Sequence, residues 1–214
     1  KDIDNDGDSD MVVANIGSSS VSVFKNNGNG TFAAKVDYTT ASGPVSLTLS
    51  DVDSDGDMDI ITANGSSSNS LSILKNNGNG TFATKEDISM TPYVHPQNIL
   101  SADYDKDGDQ DLITYTTYPG SQLIVFSNNG SGSFTEYRKS VPNSASRLTA
   151  MTDIDFDGDI DLIGSTWGSP SSLVLYENTL FSSDRFTVIN SKGDNKLLTV
   201  SESGVGIGSG ANPG

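Results

Sequence analysis

The sequence contains no cysteine, which excludes disulfides and thiolate-bound metals. No apolar run approaches the roughly 18 residues that a membrane-spanning helix needs, so membrane insertion is not expected. No signal peptide is visible. Histidine occurs once. It is His95, in Pro92-Tyr93-Val94-His95-Pro96, and reads as a loop residue, so a Ser/His/Asp triad has only this one imidazole to draw on. Hydrophobic residues reach only 34%, below the usual globular share. Basic residues are few: 12 Lys and Arg stand against 28 Asp and Glu, for a formal net charge of −16. Nucleic acid is excluded as a partner for such a surface.

What is abundant is Gly, Ser, Asn and Asp, a composition that suits short strands joined by many turns and argues against long helices. Apolar strand-like runs recur along the whole chain, so the low hydrophobicity does not signal disorder. The acidity is local. Five Asp in each of four loops account for 20 of the 28 acids, leaving 8 acids against 11 bases elsewhere when Lys106 is counted with its loop. Carboxylates packed this densely need a cation or repel one another.

Those loops also set a period. They begin at Asp2, Asp51, Asp103 and Asp153, at spacings of 49, 52 and 50 residues. A second motif runs in phase with them. Lys25-Asn26-Asn27-Gly28-Asn29-Gly30-Thr31-Phe32 recurs identically from Lys75 to Phe82, and again as Ser127-Asn128-Asn129-Gly130-Ser131-Gly132-Ser133-Phe134. The fourth copy decays to Glu177-Asn178-Thr179, with Phe186 following in phase. The repeats read as about 1–49, 50–101, 102–151 and 152–190, and a C-terminal strand or linker segment spans 191–214.

Each repeat contributes four short strands. One precedes the loop (Val45 to Leu49, Asn98 to Ala102). A β-branched apolar run follows it (Met11 to Ala14, Ile60 to Ala63, Leu112 to Tyr115, Leu162-Ile163), too short for a helix. A third strand covers Val21 to Phe24, Leu71 to Leu74, Leu123 to Phe126 and Leu173 to Tyr176. The Asn/Gly motif makes a tight turn, since both residues tolerate positive φ, and a fourth strand starts near Phe32, Phe82, Phe134 and Phe186. Four antiparallel strands in about 50 residues is the size of a propeller blade. A single such sheet cannot bury both faces, and stacked sheets can. The expected fold is all-β, a propeller or partial propeller of about four such blades.

The loops all fit D-x-D-x-D-G-x-x-D. Asp at positions one, three and five can converge on one ion, Gly at six permits a sharp bend, position seven can add a main-chain carbonyl, and Asp at nine closes the shell. Calcium, which takes 6–8 oxygens in flexible geometry, suits an all-protein carboxylate cage better than magnesium. An EF-hand is excluded, because position twelve is Val13, Thr62, Thr114 or Gly164 rather than Glu. Turn-capping alone would not require the same five aspartates four times over.

These four loops, each entering an apolar strand, resemble the FG-GAP or VCBS repeats of bacterial surface proteins and of integrin α-chain propellers. The resemblance covers about residues 1–190. The Phe-Gly and Gly-Ala-Pro signature itself is missing, which places the chain nearer the VCBS-like branch. The resemblance implies about four calcium ions. It assigns side-chain ligands to Asp2, Asp4, Asp6 and Asp10; to Asp51, Asp53, Asp55 and Asp59; to Asp103, Asp105, Asp107 and Asp111; and to Asp153, Asp155, Asp157 and Asp161. Asp8, Asp57, Asp109 and Asp159 would contribute main-chain carbonyls only.

Paired carboxylates could suggest glycoside hydrolysis, but these are better explained as ligands and few other acids remain. Trp167 with Gly168 reads as packing between blades ahead of a sugar-binding surface. Asn29-Gly30-Thr31, Asn79-Gly80-Thr81 and Asn129-Gly130-Ser131 match glycosylation sequons, and turn chemistry explains them more simply. Lys196 to Val200 either fills the first-strand slot missing from the first repeat or, as the preferred reading, leads through Ser203-Gly204-Val205-Gly206-Ile207-Gly208 into a further domain. Lys1 falls just before the first loop, as expected of a fragment. The function expected is a non-catalytic calcium-binding module of a secreted or surface protein, of bacterial type. It would serve adhesion or binding to a protein or glycan ligand, or act as a rigid spacer. The alternatives are a lectin-like propeller and the accessory domain of an extracellular enzyme.

Overall fold

Short β-branched runs separated by Gly, Asn and Asp turns can only pair locally, and they do. The computed structural model describes residues 1–66, 68–90, 94–116, 122–140, 145–154, 156, 158–166, 173–176, 178, 186–189, 196–201 and 204–209. Asp155, Asp157, Trp167, Gly168, Glu177 and Thr179 lie outside them, as do Pro92, Tyr93 and Ser203. All regular structure among the described residues is β, and no helix is long and apolar enough to cross a membrane.

The first sheet holds β1 (Met11–Asn15), β2 (Ser20–Phe24) and β3 (Val36–Thr39). The second holds β4 (Ser46–Ser50), β5 (Asp59–Asn64), β6 (Ser70–Leu74) and β7 (Glu86–Ser89). The third holds β8 (Leu100–Ala102), β9 (Asp111–Thr116), β10 (Gln122–Asn128) and β11 (Phe134–Ser140). The fourth holds β12 (Ala145–Thr152), β13 (Asp161–Thr166), β14 (Leu173–Tyr176) and β15 (Phe186–Ile189), and it continues into β16 (Lys196–Ser201) and β17 (Gly204–Ser209). Every pairing is antiparallel and joins neighbours in sequence. The C-terminal segment is therefore a hairpin on the edge of the fourth sheet, with β16 paired to β15 and β17 rather than to β1.

The fourth-strand start differs between repeats. Phe134 and Phe186 open their strands, but Phe32 and Phe82 make only isolated bridges to Asn26 and Asn76. Three residues separate Asn26 from Val23, while four separate Phe32 from its partner Val36. The second repeat has the same offset between Asn76, Ile73, Phe82 and Glu86. One extra residue is a bulge, which interrupts the ladder. The third repeat pairs Asn128 with Phe134 and Val125 with Tyr137, without an extra residue.

The core lies between sheets. Strand alternation sends successive side chains to opposite faces. Ile60 of β5 therefore packs on Ile3 of the first loop and on Val21 and Val23 of β2, while Ile61 and Ala63 pack on Leu112, Ile124 and Phe126 of the third sheet. Likewise Leu112 faces the second sheet, and Ile113 and Tyr115 face Leu162 of the fourth. Tyr38 and Phe82 meet edge-to-face across the first seam, with centroids 5.2 Å apart, a favoured aromatic geometry. All of β5 and β9 is buried, as expected of strands covered on both faces. Ser50 of β4 and Ser101 of β8, one register position apart, share a 2.7 Å hydrogen bond across the seam.

Candidate metal centre

Each nine-residue loop must double back tightly enough to aim several side chains inward. Position four adopts left-handed φ in all four loops: 61° at Asn5, 61° at Ser54, 63° at Lys106 and 62° at Phe156. Gly at position six is also positive, with φ of 94°, 94°, 99° and 90°. The glycine was expected to bend, but the left-handed residue two places earlier was not.

The main chain then orients the carboxylates. The position-one Oδ2 accepts the N–H of the position-six glycine: Asp2 from Gly7 at 2.9 Å, Asp51 from Gly56 at 2.9 Å, Asp103 from Gly108 at 3.2 Å and Asp153 from Gly158 at 3.0 Å. The Gly7 N–H, helped by those of Asp4, Asn5 and Asp6, holds Asp2 below the ordinary carboxylate range against the opposing effect of burial. Asp6, Asp55 and Asp107 at position five each accept the N–H of position seven at 2.9 Å.

Position three is held from outside. Lys25 Nζ lies 3.2 Å from Asp4 Oδ2, and Lys75 Nζ lies 3.1 Å from Asp53 Oδ2. The Asp53 hydrogen bond raises the Lys75 pKa. The third repeat substitutes Ser127, whose hydroxyl donates to Asp105 Oδ2 at 2.8 Å. Lys25 also donates to the Asn79 carbonyl of the next sheet.

Position nine ties the loop to the Asn/Gly turn. Asp10 accepts from Ile3 N at 2.9 Å and Asn26 N at 2.7 Å; Asp59 from Val52 N at 3.1 Å and Asn76 N at 2.8 Å. Asp111 accepts from Tyr104 N and Asn128 N, both at 2.9 Å, and Asp161 from Ile154 N at 2.9 Å and Asn178 N at 2.8 Å. Burial pushes Asp59 up from 3.8 to about 6; the Asn76 and Val52 N–H groups oppose this, and repulsion from Asp53 and Asp55 adds to it. Burial raises Asp111 in the same way. Each oxygen that accepts one N–H keeps a lone pair for another partner.

Position seven faces the turn. A Cβ on Gly28, Gly78 or Gly130 would lie 2.6, 2.8 or 2.6 Å from a carboxylate oxygen of Asp8, Asp57 or Asp109. Asp57 also accepts a 2.8 Å bond from Asn5 in the preceding loop. The sequon asparagines serve the same turns, with Asn29, Asn79 and Asn129 Oδ1 each taking the following hydroxyl at 2.7 Å. His95 lies outside the strands, its Nδ1 2.9 Å from the Gly65 carbonyl oxygen.

Three clusters result among the described residues. Carboxylate oxygens of Asp2, Asp4 and Asp6 lie within 4.8 Å of one another, as do those of Asp51, Asp53 and Asp59 and those of Asp103, Asp105 and Asp111. Within these loops Asp4 Oδ1, Asp53 Oδ1 and Asp103 Oδ1 are buried with no hydrogen-bond partner, and so is Asp153 Oδ1 in the fourth. A buried anionic oxygen left unpaired costs on the order of 1–3 kcal/mol or more. Three of these oxygens, those of Asp4, Asp53 and Asp103, sit within the clustered carboxylates and fit a hard divalent cation.

The asparagine opening each turn carries a role not assigned from sequence. Asn76 Nδ2 donates to Met58 O in its own loop at 3.1 Å and to Ile3 O in the preceding loop at 2.8 Å. Asn128 does the same to Gln110 O at 3.1 Å and Val52 O at 2.7 Å, and Asn178 reaches Tyr104 O at 2.9 Å. The in-phase recurrence of this asparagine was the available signal, but its partner belongs to another sheet.

Sheets of sequence-adjacent strands, each carrying one aspartate loop and stapled face to face, define a β-repeat protein. The FG-GAP-like repeat profile matches residues 2–62 and 51–114, together more than half of the chain, and the chain belongs to that family. No curated protein matches it. Among solved structures, it is similar to a lectin of Agrocybe aegerita described as specifically recognising non-reducing terminal N-acetylglucosamine, with 21% identity and a TM-score of 0.56. The likeness covers 82% of this chain and 47% of that one, so this chain spans about half the length of the lectin, and what the two share is the fold.

Proposed function

We propose that this chain is a calcium-binding module whose sheets are blades of a propeller. The observation that carries the reading is the unpartnered, buried carboxylate oxygen in each loop. The ligand positions are one, three, five and nine of each loop, with a main-chain carbonyl from position seven. In the fourth loop this set includes Asp155 and Asp157. The cation would neutralise the clustered charge and fix the loops on which neighbouring sheets pack. Its role is structural. Millimolar calcium outside cells matches the affinity of extracellular modules, which supports a secreted or cell-surface setting. Titration calorimetry with calcium tests this: about four ions per chain are expected, and heats unchanged from buffer would reject it.

The module then presents a rigid binding surface for a protein or glycan rather than a catalytic centre. A glycan has specific support. A hollow of about 380 Å³ on the loop side is lined by Ser50, Asp51, Ser54, Ser101 and Gln110, donors and acceptors that suit sugar hydroxyls. The similar fold includes a lectin. A glycan array that includes terminal N-acetylglucosamine separates this reading from a spacer or adhesion module, which would bind no sugar.

A further inference from the structure

Position three is a ligand carboxylate gripped by a side chain from beyond its own loop, and that side chain changes between repeats. In the first two, Lys25 Nζ lies 3.2 Å from Asp4 Oδ2 and Lys75 Nζ lies 3.1 Å from Asp53 Oδ2, while Oδ1 of each aspartate is buried with no hydrogen-bond partner. In the third, the Ser127 hydroxyl takes the lysine's place and donates to Asp105 Oδ2 at 2.8 Å. The contact is kept and the charge is not. The fourth repeat has Glu177 at this position, outside the described residues.

The two lysines are held from a second side. Lys25 also donates to the Asn79 carbonyl in the turn of the next sheet, and its Nζ lies 2.9 Å from where a Cβ on Gly80 would be. Lys75 lies against Gly132 in the same way, at 3.3 Å. An ammonium wedged between its own loop and the next turn has little room to swing away from an arriving cation. The third loop carries a lysine of its own, Lys106 at position four, but its Nζ approaches Gly158 of the fourth loop, 3.7 Å from the would-be Cβ. Asn5, at position four of the first loop, likewise reaches Asp57 of the second.

We propose that Lys25 and Lys75 set the calcium affinity of the first two loops below that of the third, so that the third fills first as calcium rises. The proposal rests on the calcium reading above. Four ligand carboxylates less one ammonium leave −3 in the first and second loops, against −4 in the third. Charge count tunes calcium affinity in loops of this kind, and a fixed unit charge one carboxyl group away from a divalent ion shifts affinity on the order of tenfold. Without the ion, the same lysines partly neutralise Asp4 and Asp53, which steadies those two loops at calcium levels too low to fill them.

Calorimetric titration of the 214-residue chain with calcium chloride tests this. Replacing both lysines with the serine that the third repeat uses, Lys25→Ser with Lys75→Ser, should tighten two binding steps by about tenfold each and leave the number of ions unchanged. A lysine that merely braced the loop would give the reverse, because losing its contacts loosens the site and weakens binding. Lys25→Arg with Lys75→Arg keeps both charges and should leave the steps as they are. Ser127→Lys should weaken one step by a similar factor, and it carries the test in the opposite direction should the serine variant fold poorly. Unchanged stoichiometry with steps that stay put or weaken in the serine variant, or a Ser127→Lys chain that binds as before, would overturn the proposal and leave the calcium reading standing. Absence of heat in every variant would overturn both.

Discussion

Asn76 donates from Nδ2 to the carbonyl of Ile3, 2.8 Å away and 73 residues earlier in the chain, joining the second sheet to the loop of the first. Its Oδ1 meanwhile accepts the Gly78 and Gly80 N–H groups, both at 3.1 Å. One buried side chain thus satisfies two carbonyls and two amides. Asn76→Ala would leave them unmet at a cost of about 3 kcal/mol or more. Asn26→Ala loses no bond to another sheet and should cost less by roughly 1 kcal/mol. Urea denaturation of both variants measures the difference, and equal costs would contradict the staple.

Calcium should raise stability. A site filled at ten times its Kd contributes roughly 1.4 kcal/mol, so several filled sites shift Tm by many degrees. Scanning calorimetry in calcium and in EDTA reads this directly. An unchanged Tm would reject a structural ion.

Acid should act in opposite directions with and without the ion. Asp59 lies near 6 when folded against an ordinary 3.8, so the calcium-free folded chain holds this proton more tightly than the unfolded chain. Stability in chelator therefore rises as pH falls from about 6 towards 4, and raised Asp111 adds to the effect. Below about 4 it declines, as Asp2 and Asp37, whose values are lowered, take up protons. In calcium, protons displace the ion and stability only falls with acid. Melting curves across pH 4–7 in both buffers check the crossing.

Phe156 has φ of 62° and is 90% exposed. A bulky residue pays about 1 kcal/mol for that backbone, and its side chain recovers little by burial. Phe156→Asn should raise Tm by about 2–4 °C, measurable by thermal melting.

Gly78→Ala should destabilise by about 2 kcal/mol, because φ is +80° and the new Cβ would lie 2.8 Å from Asp57 Oδ2. Gly17→Ala serves as the control, since nothing lies within 4 Å of its would-be Cβ and its φ is not positive. Chemical denaturation of both separates a conformational demand from a general intolerance of alanine.

Much of this was legible because it is local. The loops, their glycines and the apolar runs that became β1, β5, β9 and β13 follow from nearest-neighbour chemistry. What lay hidden depends on other sheets or on counting. The bulge after Asn26 and Asn76 adds one residue to a pairing that the sequence pattern alone does not count. The double acceptance by Asp59 and the reach of Asn76 to Ile3 require knowing which turn faces which loop. Left-handed φ at Lys106 and Phe156 is unreadable because neither residue type favours it, whereas Asn5 does.

Every seam pairs an asparagine with a carbonyl 73, 76 or 74 positions away, and each of those carbonyls lies between two loop aspartates. A gene encoding such a chain can therefore lose or duplicate a whole segment of that kind without rewriting any joint, since the newly adjoining segments meet with matching chemistry. Array size can thus drift between descendants while the contacts that hold it stay the same.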